Sequence, residues 1–261
     1  MKIWYQSYSA IGFDPRWKNY EDSLKRYVQK VARPDTKVDV YGVEKMAPRM
    51  VESDYIQYLH ISQVIDKGLQ AEQKGYDAFV LGGTLDPGAI YIREVLNIPV
   101  AFIAESSFYV ACLIAPRFSV IASGDAILHG QTRLVKQYGL EQRFVPGAHL
   151  GIENTLQFVE EMGKNPKGII NKFTEIASKP IKQGAGALVP GFGALTSFLS
   201  EHGIREIDGV PIVDGVAVVI KTAEMLVDLK NMGIMRGKKG LDISPVSKEE
   251  LMAARKLYGI E

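Results

Sequence analysis

Two glycine-bearing segments with the same layout stand about half a chain apart. The first runs Phe79-Val80-Leu81-Gly82-Gly83-Thr84-Leu85-Asp86-Pro87-Gly88, the second Leu188-Val189-Pro190-Gly191-Phe192-Gly193-Ala194-Leu195. Each opens on an apolar run, passes through small residues and continues with helical spacing. A fully apolar run of this length suits a strand of a parallel sheet covered on both faces. The small residues suit the turn that carries the strand's carboxyl end into a helix, where open α/β sheets hold their ligands. Two such turns predict a duplicated α/β core with one site between its halves. The residues at the tips are Gly83-Thr84 and Phe192-Gly193, and none is a strong acid or base.

The rest of the chain alternates in the same way. Strands are predicted at 3–5, 37–43, 78–81, 99–103, 118–122, 187–189 and 211–214. Helices are predicted at 20–32, from Asp54 to Gly75, and at 87–96, 106–114, 126–138, 152–162, 169–183, 194–202 and 216–232, with a terminal helix opened by the capping box Ser247-Lys248-Glu249-Glu250. Strands alternating with helices read as a doubly wound α/β protein of two pseudosymmetric parallel-sheet lobes with the site in the cleft. Residues 1–104 with 214–261 are expected to form one lobe and residues 105–213 the other. Strand ends then offer Gln6 to Ser9, Gly83-Thr84, Glu105 to Ser107, Ser123-Gly124, Phe192-Gly193 and Asp214-Gly215 to the cleft.

Composition narrows the chemistry. The 31 Lys and Arg balance the 30 Asp and Glu, so no electrostatic footprint for nucleic acid or an anionic membrane is expected. The basic run Arg236-Gly237-Lys238-Lys239 reads as a solvated loop. No apolar stretch approaches the ~20 residues of a membrane span, and Met1-Lys2-Ile3-Trp4-Tyr5-Gln6 reads as a strand rather than a signal peptide. A cytoplasmic protein, forming a homo-oligomer, is expected. Cys112 is the single cysteine, which rules out an intramolecular disulfide and a multi-cysteine metal site. It lies in the apolar helix Tyr109-Val110-Ala111-Cys112-Leu113-Ile114 and is expected to be a buried structural thiol. The four histidines show no metal-triad spacing, and the glycine turns fit neither a Rossmann fingerprint nor a P-loop. No metal or cofactor is expected.

Gly83-Thr84-Leu85-Asp86-Pro87-Gly88, Ile98-Pro99-Val100, Ile103-Ala104-Glu105, Arg117-Phe118-Ser119-Val120-Ile121, Gly186-Ala187-Leu188-Val189 and Val210-Pro211-Ile212-Val213-Asp214-Gly215-Val216-Ala217 follow one another in this order. Their order and spacing, from about residue 75 to 230, resemble the aspartate/glutamate/hydantoin racemase superfamily, closest to its hydantoin racemase branch. The resemblance implies two α/β lobes and proton transfer at a carbon beside a carbonyl, performed by two facing cysteines without metal or cofactor. At those two positions this sequence carries Gly83 and Phe192. Gln6-Ser7-Tyr8-Ser9 also stands where hydantoin racemases carry an Asn-Pro-Asn turn. Locally, the Gly83-Thr84 pair resembles arylmalonate decarboxylases of the same superfamily, although those keep the second cysteine.

What remains is a scaffold for a small carboxylate or cyclic imide. Thr84, with Gly83, offers a hydroxyl and backbone N–H groups. Ser106 and Ser107 are expected at a helix N-terminus, where free N–H groups favour carboxylate oxygens, and Ser123 in the same setting of the second lobe. Gln6, Tyr8 and Gly193 would complete the polar wall, and Phe192 would supply an apolar one. Glu105 is the candidate general base, matched by the resemblance to the family's glutamate after Ile-Ala, and Tyr8 a candidate proton donor. Asp86 and Asp214 read as helix caps. The expected function is a cofactor-independent isomerase or lyase that does not use two cysteines. The alternatives are a non-catalytic small-carboxylate binding protein, or a hydrolase reusing the pocket.

Overall fold

The computed structural model describes residues 1–152, 155–237 and 246–260. Its first half is built from β1 (Lys2–Gln6), α1 (Lys18–Val31), β2 (Lys37–Tyr41), α2 (Asp54–Gln73), β3 (Ala78–Leu81), α3 (Ala89–Val95), β4 (Val100–Phe102) and α4 (Ile103–Ile114). The second half holds β5 (Phe118–Ala122), α5 (Asp125–Gln137), β6 (Ala148–His149), α6 (Thr155–Met162), α7 (Pro166–Lys182), β7 (Ala187–Pro190) and α8 (Gly193–Glu201). A hairpin of β8 (Glu206–Ile207) and β9 (Val210–Pro211) follows, then α9 (Gly215–Asn231) and α10 (Lys248–Leu257).

Two parallel sheets result. The first has the order β2-β1-β3-β4, the second β6-β5-β7. A parallel bridge from Leu188 to Ile212 adds a fourth segment beyond β7. Both sheets therefore run second-first-third-fourth in chain order, and the sequence repeat is a repeat of topology. β3 and β7 are buried along their whole length, as expected where both faces carry helices. Phe79 of β3 is wholly buried, and burial of such a side chain contributes about 1.5–3 kcal/mol.

The helix that ends each half crosses to the other. α4 follows the first sheet yet packs on β5 and β7; α9 follows the second sheet yet packs on β3 and β4. The two helices also pack on each other. Gly215 lets them meet, because a Cβ there would lie 2.8 Å from the Ser107 hydroxyl. This exchange ties the lobes together and faces the ends of β3 and β7 toward each other.

Several boundaries differ from expectation for local reasons. α4 begins at Ile103, directly after β4, rather than at Ser106. The strand expected at 211–214 is split. Asp208 (φ 49°) and Gly209 (φ 76°) make a two-residue hairpin turn with β8 and β9 as its arms, and Ile212 alone joins the second sheet. β6, which carries His149, has only two residues and no alternating pattern to reveal it. The Ser247 capping box forms as expected. Lys238 and Lys239 of the basic run, and the first residues of the expected 152–162 helix, lie partly outside the described residues.

Candidate active site

The ends of β3 and β7 enclose a cavity of about 90 Å³. Gly82, Gly83 and Thr84 line it from the first turn; Phe192, Gly193 and Ala194 line it from the second. Ser7, Tyr8 and Ser9 enter from the end of β1, and Trp17 and Tyr20 from the start of α1. Met46, Met50 and Val51, from the segment between β2 and α2, close the outer side. A cavity of ~150 Å³ is what a benzene-sized ring occupies, so a ring ligand fits more readily here when this wall adjusts or the ligand extends through the open mouth. Methionine side chains are suited to that adjustment.

Among the described residues, no Asp, Glu, Lys, Arg, His or Cys lines the cavity. Its polar groups are hydroxyls and backbone N–H groups. The N–H groups of Thr84 in the first turn, and of Gly193, Ala194 and Leu195 opening α8, take no hydrogen bond among the described residues. They are the unpaired donors expected at a strand-to-helix turn. Gln131 of α5 braces the two turns from behind. Its Nε2 donates to the Thr84 carbonyl at 3.1 Å and to the Gly191 carbonyl at 3.1 Å. One buried side chain thus links the two turns.

Tyr8 lies against Gly83: a Cβ at that glycine would stand 3.1 Å from the Tyr8 Cβ and Cγ. His60 of α2 holds Tyr8 in place, with its Nε2 at 3.1 Å from the Tyr8 carbonyl and its ring edge-on at 4.4 Å. Burial keeps His60 below the ordinary imidazole range, so it is neutral here. The Tyr8 hydroxyl is buried without a hydrogen-bond partner, and burial raises its pKa well above that of a free phenol. Tyr8 is therefore a neutral phenol.

Comparison with known proteins places this cavity. Residues 18–223 match the family model for Asp/Glu/hydantoin racemase. A hydantoin racemase of Pseudomonas sp. (strain NS671) is 34% identical over 79% of this chain and 80% of its own length. One of Rhizobium meliloti is 30% identical over 69% of this chain and 72% of its own. The chain belongs to the Asp/Glu/hydantoin racemase family. Among solved structures, an allantoin racemase from Pseudomonas fluorescens superposes with a TM-score of 0.79 at 24% identity, over 95% of this chain and 98% of its own. Another, from Klebsiella pneumoniae, gives 0.77 at 24% identity, over 95% of each chain. At that identity the two structures establish the fold.

Within this family fold, Tyr8, Gly83, Thr84, Phe192 and Gly193 come together as cavity lining. The other expected site residues stand outside that lining. Gln6 is buried, its amide committed to Trp4 and to the Ser7 carbonyl. Because α4 starts at Ile103, Ser106 and Ser107 fall inside its first turns rather than at its open end. The Ser107 hydroxyl donates to the Ile103 carbonyl at 2.6 Å, and the Ser106 hydroxyl is buried among apolar groups without a partner. Ser123 is buried at the end of β5, and its carbonyl accepts from Ile152. Glu105 forms a two-pronged ion pair with Arg93 of α3.

The N–H groups that open α4 belong to Ala104 and Glu105, and Asp86 takes both, at 2.9 and 2.7 Å. Asp86 is thus a cap, but of α4 rather than of the adjacent α3. It also accepts from Tyr138 at 2.8 Å. Burial pushes its carboxyl up to about 7, opposed by these donors. Asp214 caps α9 through Ala217 at 2.9 Å. Cys112 is half-buried on α4 beside the second core and is not a lining residue; burial raises its pKa. Trp17, Tyr20, Met46 and Met50 escaped sequence reasoning. Tyr20 lies one turn before Leu24 on the apolar stripe of α1 and reads as core; the two methionines lie in a segment with no periodicity at all.

Proposed function

We propose that this family member works beside a carbonyl or carboxylate of a small acid or cyclic imide, as a cofactor-independent lyase or isomerase, without the two-thiol mechanism. The observation that carries the proposal is the cavity between the two turns, lined by hydroxyls, free N–H groups and apolar walls, with Gly83 and Phe192 at its opposed tips. Racemisation through two facing groups needs a base on one side of the carbon and an acid on the other. The described lining residues offer neutral phenols and no base. A reaction that needs one donated proton fits better. Loss of CO2 from a malonate-type acid is such a reaction: the C–C bond breaks, its electron pair passes into the adjacent carbonyl as an enolate, and the carbon then takes a proton. Apolar walls at Trp17, Met46 and Phe192 disfavour a solvated carboxylate, and free N–H groups favour the enolate oxygen. Tyr8 is the proton donor of this scheme and Thr84 a binding group.

The relatives' names give hydantoin and allantoin as substrates, so a hydantoin is the natural second probe. The test follows phenylmalonate and 5-benzylhydantoin by proton NMR in D2O with the wild type, Tyr8→Phe and Thr84→Val. Loss of CO2 from phenylmalonate is expected with the wild type and not with Tyr8→Phe. A second reading, a non-catalytic binding protein, is favoured by the lack of any carboxylate, imidazole, amine or thiol among the described lining residues. A rise in melting temperature with either probe but no turnover would establish it. Neither turnover nor a thermal shift would overturn both readings.

A further inference from the structure

The second turn has a polar partner that comes from the other lobe. Tyr20 of α1 is buried, its ring edge-on to Trp17 at 6.2 Å, and it lines the cavity. A Cβ on Gly193 would stand 2.9 Å from the Tyr20 hydroxyl, so the absence of a side chain at Gly193 is what gives this hydroxyl its place at the mouth of α8. The hydroxyl forms no hydrogen bond among the described residues, whereas the other α1 phenol, Tyr27, is bonded to Asp214. A buried phenol is normally hydrogen-bonded. At the start of α8 the N–H groups of Gly193 and Ala194 line the same cavity and donate no hydrogen bond among the described residues. A phenol hydroxyl and N–H donors that reach one cavity without protein acceptors are placed to serve an acceptor oxygen brought by a ligand.

We infer that Tyr20 is a substrate-contacting residue, donating its hydroxyl hydrogen, together with the N–H groups that open α8, to one carbonyl or carboxylate oxygen of the bound molecule. This rests on the proposed use of the cavity and adds to it the half-site opposite Thr84 and Tyr8. The arrangement is asymmetric. At the first turn Tyr8 packs its ring stem on Gly83, whereas at the second turn Tyr20 presents only its hydroxyl to Gly193. Burial raises the Tyr20 pKa well above that of a free phenol, which keeps the hydroxyl protonated and able to donate.

The test uses protein labelled with 13C at the tyrosine Cζ, with the Tyr20 signal assigned by its loss in Tyr20→Phe. Phenylmalonate and 5-benzylhydantoin are each titrated while binding is followed by melting temperature. The expected result is a shift of the Tyr20 signal with at least one probe, and about tenfold weaker binding in Tyr20→Phe, the size of one neutral hydrogen bond. Gly193→Ala, which pushes the hydroxyl away from α8 while leaving the ring in the core, should weaken binding similarly. Binding with an unmoved Tyr20 signal and unchanged affinity in both variants would overturn this inference and leave the proposed function standing. Absence of binding by either probe would overturn both.

Discussion

The two turns share a topology and differ in what fills them. The first has no side chain at Gly83, and the space is taken by Tyr8, a residue from the end of β1 that His60 holds from behind. The second has a large side chain at Phe192, which packs edge-on against Phe158 of α6 at 4.8 Å and against the core beneath. One tip is a vacancy filled by a neighbour; the other is a structural plug. The two helix caps differ in the same sense. α9 is capped by Asp214, three residues away, whereas α4 is capped by Asp86 from 18 residues back. The repeat therefore keeps strand order and crossing helices, while the groups at the cleft differ between the halves.

If Phe192 is a plug and Gly83 a vacancy, substitutions at the two tips should separate widely. Phe192→Ala is expected to cost about 3–5 kcal/mol, the usual range for a buried aromatic. Gly83→Ala needs only a small retreat of the Tyr8 side chain and should cost about 1 kcal/mol, the low end for overpacking. Urea unfolding of both variants measures the gap, and equal costs would break the contrast.

The caps come next. Asp86→Asn keeps one acceptor oxygen, for Ala104, and puts an NH2 where Oδ2 accepts from Glu105 and Tyr138. The Glu105 N–H is left without its acceptor, and the change should cost about 1–3 kcal/mol near pH 5. Its dependence on pH has a definite sign. The folded carboxyl titrates at about 7, above the ordinary value of about 3.9. The folded state therefore holds a proton that the unfolded chain has released between those values. The contribution of this group is full below about pH 4 and is lost as the pH rises toward 7. The advantage of wild type over Asp86→Asn should thus be larger at pH 4.5 than at pH 7.5. A gap that widens with pH would mean that the three donors outweigh burial and keep Asp86 ionised.

Smaller still is the brace between the turns. Gln131→Leu leaves the Thr84 and Gly191 carbonyls without their shared donor and should cost about 1 kcal/mol. Its more telling effect is on the cleft, where probe affinity should fall more than in a surface substitution of equal stability cost. Unchanged affinity would show that the crossing of α4 and α9, not Gln131, sets the spacing.

Much of this was legible in the chain. The apolar runs ending in glycine gave away β3 and β7, because strands buried on both faces cannot hide their composition. The segment order from Gly83 to Ala217 carried the family. The cavity wall was harder to read. Tyr20 and Trp17 look like core residues because they are: one buried face serves both packing and the pocket. Ser106, Ser107 and Glu105 were drawn toward the cleft by a helix start placed three residues late. Moving that start to Ile103 hands the free N–H groups to Asp86 and turns the serines into the helix. Such a shift is set by tertiary contacts, here the docking of α4 onto the opposite sheet, and leaves no local mark.

We propose above all that this member of the Asp/Glu/hydantoin racemase family acts without any thiol. The most direct test is deuterium exchange at C5 of 5-benzylhydantoin in D2O, measured side by side for wild type and Cys112→Ala. Cys112 lies on α4, outside the cavity lining, so the account expects identical exchange behaviour in the two proteins. Robust exchange by wild type that disappears in Cys112→Ala would contradict it.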